Sequence, residues 1–363
     1  MILSFHDCNK LDILHCKFLN FFSTLLIMIK YINLYLLLIS ILASGCSDDP
    51  VNSNGNVETG DIFFTIAAPN NFAFKSYSIK ADGTNKKLIR DSMLVTSIPY
   101  SGKLTLARAD SGFYYNKMYV ANLDGKNLVE IPRNNYYPVY FILSPYADKV
   151  LFTTGEGNYM FVVNADGTNL IQISNSIGAE TIPKFSPDGN YIAYLESPIG
   201  SSTGLYLIKT NGTDKTLLKD SIVHNFGESL DWSPDGNKIA FVNSDPFPPD
   251  ICIINSDGSG YLKIAEGTNP AWSPDGSKIS FLSNVNGGIY DLYMINPDGS
   301  SEINLSNTPN VYDAPPCWSP DSKKILYHTY TIPNTGNLKI FDINAMTSTV
   351  LTDSSSTMGF WKR

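Results

Sequence analysis

From residue 61 onward, short apolar runs alternate with polar turns, and the turns recur in two interleaved series. The first series is Ser186-Pro187-Asp188-Gly189, Ser233-Pro234-Asp235-Gly236, Ser273-Pro274-Asp275-Gly276 and the variant Ser319-Pro320-Asp321-Ser322. An aromatic residue precedes each copy (Phe185, Trp232, Trp272, Trp318), and an apolar run such as Lys238-Ile239-Ala240-Phe241 follows it. Weaker copies lie upstream at Ser144-Pro145 and Pro99. The second series is Asp82-Gly83, Asp124-Gly125, Asp166-Gly167, Asn211-Gly212, Asp257-Gly258 and Asp298-Gly299, with a faint seventh copy at Asn344-Ala345. Asp-Gly and Asn-Gly between apolar runs are strong hairpin signals, because glycine accepts positive φ. In the Pro-Asp-Gly turns, proline pre-sets φ and aspartate bonds nearby backbone.

Each period therefore predicts four short strands, with one ending at the aromatic, one after the Pro-Asp-Gly turn, and one on either side of Asp-Gly. Four strands per roughly 40–45 residues make one propeller blade. The seven turns of the second series predict an all-β, seven-bladed β-propeller over residues 61–363. The first period, from Asp61-Ile62-Phe63-Phe64, begins at its second strand. Met358-Gly359-Phe360-Trp361 resembles Pro270-Ala271-Trp272 with nothing after it, so the carboxy-terminal strand is expected to join the first blade and close the ring. Closure hides the terminal strand edges.

These residues resemble the propeller repeats of TolB and its relatives, a subset of WD-type repeats with Ser-Pro-Asp-Gly in the first turn; the resemblance covers about residues 61–361. TolB itself carries a separate amino-terminal domain and typically six blades, whereas this chain counts to seven and offers no room for that domain. The resemblance implies a periplasmic or surface scaffold, or an appendage to a peptidase.

Outside residues 1–45 the chain has 23 basic and 32 acidic residues, which argues against nucleic acid as a partner. The amino terminus reads as a targeting segment. Lys30 precedes the apolar residues 34–43, and Leu42-Ala43-Ser44-Gly45-Cys46 resembles a bacterial lipobox, with Ala43 where leucine is usual. Cys46 is the expected lipidation site and membrane attachment; an uncleaved anchor is the alternative. Asp7, Cys8, Asp12 and Cys16 do not suit a signal, so Met28 is the expected start. Residues 46–60 read as a flexible tether, and Ser47-Asp48-Asp49 as either a surface-export patch or plain linker. Cys252 and Cys317, in blades 5 and 7, are expected as buried thiols without a mutual disulfide.

No metal or cofactor is expected. The turn aspartates are accounted for by turn formation. Gly200-Ser201-Ser202-Thr203-Gly204 matches a nucleophile pattern, but that motif needs a helix after it, and here strands flank it. Past the signal only His224 and His328 exist, too few for the histidine sites of propeller lyases. Propeller geometry puts the short repetitive turns on one face and the long connectors on the other: residues 68–74, 109–115, 197–203, 220–227, 245–249 and 307–313. Function concentrates on variable loops held by a rigid scaffold. Those connectors and their neighbours carry Phe72, Tyr114, Tyr136, Phe226, Phe247, Tyr312 and Tyr330. Glu180, Glu228, Thr268 and Asp313 enter the inner strands at the channel mouth, with Glu180 and Asp313 in the same register. The candidate binding set is Glu180, His224, Phe226, Glu228, Tyr312 and Asp313, at a mouth suited to a cation, a basic peptide or a sugar, or simply hydrated. The expected role is non-enzymatic binding of a protein or glycan of the cell envelope. The alternatives are a polysaccharide lyase or glycosidase using Glu180 and Glu228, and a regulatory propeller serving a separate peptidase.

Overall fold

The computed structural model describes residues 62–67, 74–97, 102–108, 117–155, 159–174, 183–197, 202–223, 230–245, 248–284, 290–307, 312–313, 315–331, 335–352 and 356–361. They form seven antiparallel sheets in sequence order, and no helix occurs among them. Six sheets have four strands; in the seventh the inner strand is broken into Tyr312–Asp313 and Cys317–Trp318. Blade 1 contains Ile62–Ala67, Phe74–Ile79 and Lys87–Asp91, and its inner strand is the carboxy-terminal Ser356–Trp361. That strand pairs antiparallel with the first, Ile62 opposite Trp361 and Phe64 opposite Gly359. The ring closes as the repeat count predicts. Blades 2 to 7 span residues 94–131, 138–172, 184–222, 231–266, 268–304 and 312–350.

The middle strands are apolar on both faces because each blade is sandwiched between two others. Ile239, Ala240, Phe241 and Val242 are all fully buried. Their alternation is of size. Ile239 and Phe241 face blade 4, alongside Leu195, Leu205 and Leu218. Ala240 faces blade 6 and meets Trp272 and Phe281. The same large–small rhythm recurs in Ile192-Ala193-Tyr194 and Ile279-Ser280-Phe281, and it packs the large residues of blades 4, 5 and 6 onto the blade before.

Each Ser-Pro-Asp turn is a small hydrogen-bonded latch. Ser233 Oγ donates to Asp235 Oδ1 at 2.6 Å and accepts from Lys238 N at 2.8 Å. Asp235 Oδ1 also accepts from Asn237 N at 3.0 Å. Ser186 with Asp188, Ser273 with Asp275 and Ser319 with Asp321 repeat the first bond at 2.5, 2.6 and 2.6 Å. Burial pushes the Asp188, Asp235 and Asp275 carboxyls up, but these serine and backbone donors outweigh it and leave each below the ordinary aspartate value. Pro187, Pro234 and Pro274 lead into the positive-φ glycines Gly189, Gly236 and Gly276. In blade 7, after Pro320, Ser322 takes the glycine's place at φ 56°, and its hydroxyl accepts the Asp275 N–H at 3.0 Å, tying turn to turn.

Indoles bolt neighbouring blades together. Trp318 Nε1 donates to Ala271 O at 3.1 Å and Trp232 Nε1 to Lys184 O at 3.4 Å, each reaching the inner strand of the preceding blade. Trp272, in the equivalent position, is equally buried, yet its Nε1 has no partner among the described residues.

Candidate functional site

Strand order fixes the two faces. Strands one to two and three to four are joined by the tight turns, in which Asp82, Asp166, Asp257 and Asp298 each accept the backbone N–H two residues on. Strands two to three, and the fourth strand to the next blade, are joined on the opposite face. Of the sequence-derived candidates, Glu180, His224, Phe226, Glu228 and Cys46 lie outside the described residues. The backbone of Tyr312 and Asp313 is described. It forms the upper half of blade 7's inner strand, with Tyr312 opposite Tyr330 and Asp313 opposite Thr329. Both partners lie on Lys324–Thr331, which with its neighbour Thr335–Asp342 forms the longest strand pair among the described residues.

The described inner strands carry buried polar side chains absent from the sequence-derived set. Lys184 and Asp231 occupy equivalent inner-strand positions in blades 4 and 5, one residue before the aromatic, and are 5% and 4% exposed. Asp231 Oδ2 accepts the Trp272 N–H of blade 6 at 2.8 Å. Tyr140, on the inner strand of blade 3, is buried with its hydroxyl unbonded. Burial, and then the negative charge of Asp231, push the Tyr140 phenol far above its ordinary pKa. This favours the neutral, protonated phenol. The signal was present in the sequence: before the aromatic that precedes Ser-Pro-Asp stand Lys184 and Asp231 in blades 4 and 5, against Ala271 and Cys317 in blades 6 and 7.

Acidic side chains near the connector face are engaged. Glu196 meets Lys215 Nζ at 2.5 Å, Asp250 meets Lys263 Nζ at 2.7 Å, and Asp291 accepts from Asn304 Nδ2 at 2.9 Å. Among the described residues, no three His, Cys, Asp or Glu side chains gather as metal ligands. His328 lies on a second strand, opposite Leu338. Thr203 and Gly204 of the serine motif open the strand Thr203–Lys209, so a strand follows where a nucleophile elbow needs a helix. Cys252 is a buried free thiol, raised in pKa by burial. Cys317 is buried on blade 7's inner strand, and with Cys252 free the two form no mutual disulfide, as expected.

Of the aromatics expected on the connectors, Tyr136 is described. It sits between blades 2 and 3, packed against Tyr159 and Phe161 with ring centres 5.5 and 5.2 Å away. Its neighbours Arg133 and Tyr137 were not singled out from the sequence; the guanidinium lies 5.3 Å from the Tyr137 ring centre.

Comparison with known proteins agrees with this architecture. Residues 221–359 match the TolB beta propeller domain family. TolB from Acinetobacter baumannii superposes with a TM-score of 0.55 at 15% identity, over 82% of this chain and 81% of that one. Oligogalacturonate lyase from Vibrio parahaemolyticus gives 0.54 at 14%, over 82% and 87%. A puromycin-hydrolyzing peptidase from Mycobacterium tuberculosis gives 0.61 at 12%, over 87% of this chain and 54% of the peptidase. At these identities the likeness is one of fold.

Proposed function

We propose that this TolB-like propeller is a non-enzymatic binding module of the bacterial cell envelope, tethered by lipid on Cys46, that takes a protein or glycan on its connector face. The observation that supports this most is the division of the two faces. The turn face is consumed by its own hydrogen bonds, with every Ser-Pro-Asp-Gly-type turn latched internally. The connector face carries the segments whose sequence does not repeat, on a closed ring. The targeting pattern of Lys30, the apolar residues 34–43 and Cys46 supports an envelope address.

The test is capture from bacterial envelope extracts with the full-length protein. The variant Phe226→Ala/Tyr312→Ala/Glu180→Gln removes two aromatics and one charge around the mouth. Aromatic hot spots are worth roughly 2 kcal/mol or more, so affinity should fall at least about thirtyfold. The turn-face control must avoid Asn237 and Ser277, whose amide and hydroxyl bond Asp235 and Asp275. Lys126→Ser/Lys323→Ser serves instead, both residues being exposed there. Binding lost in the control and kept in the triple variant would move the site to the turn face and refute the proposal. Loss of lipid labelling in Cys46→Ala checks the tether.

A further inference from the structure

We propose that the connector between blades 2 and 3 is a recognition subsite for a carboxylate-bearing sugar, with Arg133 taking the carboxylate and Tyr137 the sugar face. The subsite deepens the binding-module reading and rests on it. The connector is built rigidly. Asn134 and Asn135 are both left-handed, at φ 47° and 65°, a conformation asparagine tolerates better than most residues. Tyr136 N donates to Arg133 O at 2.9 Å and closes the turn, while Gly155 N donates to Tyr137 O at 3.0 Å and fixes its exit. The Tyr136 ring is pinned on Tyr159 and Phe161.

Arg133 is held on two sides and meets no counter-ion among the described residues. Its Nη1 donates to Tyr136 O at 2.7 Å, and its Cζ lies 5.3 Å from the centre of the Tyr137 ring. Among the described residues no carboxylate pairs with it, although acidic residues outnumber basic ones 34 to 26. Eight of the described lysines find acidic partners within 4 Å, whereas Arg133, like Arg90, holds a backbone carbonyl instead. A guanidinium pre-positioned without its own acid presents a planar fork of N–H donors that matches a carboxylate.

The surroundings favour a sugar. Tyr137 is 42% exposed, and Asn134 and Asn135 are exposed beside it. Peptide recognition usually draws on a strand edge or apolar pockets. Here one flat ring is flanked by side-chain amides that both donate and accept, the complement of a pyranose with hydroxyls and one acid. The position also suits it, because Tyr137 immediately precedes the inner strand Pro138–Leu143, at the entrance to the channel.

The test is calorimetric titration of the full-length protein with glucuronic acid oligosaccharides, their carboxyl-reduced neutral counterparts and a glutamate-rich peptide. The acidic oligosaccharide should bind, and the neutral one at least about tenfold more weakly. Arg133→Gln should lose at least about tenfold and Arg133→Lys should regain only part, because lysine lacks the fork. Tyr137→Ala should lose affinity and Tyr137→Phe keep it, all with native melting temperatures. Equal affinity for neutral and acidic sugars, unchanged binding by Arg133→Gln, or binding of the peptide alone would overturn the assignment. Partner capture lost in the mouth triple variant but kept in Arg133→Gln would sink the subsite and leave the wider reading standing. Acidic-sugar binding that depends on Arg133, with capture indifferent to the triple variant, would do the reverse.

Discussion

Three tryptophans in equivalent positions make an internal control for the worth of a buried hydrogen bond. Trp318 and Trp272 are 1% and 2% exposed, so replacing either by phenylalanine removes a similar volume from a similar interior. They differ at the indole nitrogen. Trp318 Nε1 donates to Ala271 O at 3.1 Å, whereas Trp272 Nε1 is buried and unbonded. Trp318→Phe therefore loses a net hydrogen bond worth about 1 kcal/mol, while Trp272→Phe removes an unsatisfied donor that costs about 1–3 kcal/mol. The volume losses cancel in the comparison, so Trp318→Phe should be the more damaging by about 2–4 kcal/mol. For a domain of about 300 residues the unfolding entropy is of order 0.6 kcal/mol/K, which turns that gap into roughly 3–6 °C. Trp232→Phe should fall between, since its bond to Lys184 O is long at 3.4 Å. Scanning calorimetry on the three variants reads the order directly. Trp272→Phe melting at or below Trp318→Phe would refute the reasoning, because it would mean the indole nitrogens do not distinguish the two sites.

Ring closure carries a second expectation: deleting residues 356–363 strips the partner strand from Ile62–Ala67 and exposes an edge beside the buried Ile62 and Phe64, so the melting temperature should fall sharply; an unchanged melt would deny the closure. The turn aspartates set acid stability. Their folded pKa values lie below the unfolded one, so their contribution is complete above about pH 4 and is lost as pH falls through the folded values. Ser233→Ala removes a donor to Asp235 and should both lower the melting temperature at neutral pH and flatten its decline between about pH 5 and 2.5; a decline as steep as in the parent protein would count against the latch.

The sequence alone determined the repeat, the blade number and the closing strand, because each rests on chemistry contained within a few residues. Ser233, Pro234, Asp235 and Gly236 make one turn by bonding one another and Lys238, so the turn is legible wherever the string occurs. The aromatic before it and the apolar run after it supply the strands on either side. A partnerless strand at one end and a missing one at the other then leave a single way to finish the ring. Lys184 and Asp231 were readable only as exceptions in an aligned column; nothing local showed that both would be buried or that Tyr140 would feel the charge of Asp231. Tyr140 and Asp231 sit on inner strands of separate blades, and only the packing of blade on blade brings them within reach of each other. Arg133 shows the same boundary within a shorter span. Its asparagine turn is written in the chain, but whether a lone arginine finds an acid depends on which carboxylates the fold has already given to lysines. Turns are decided by neighbours in sequence, and binding groups by what neighbours in space leave free.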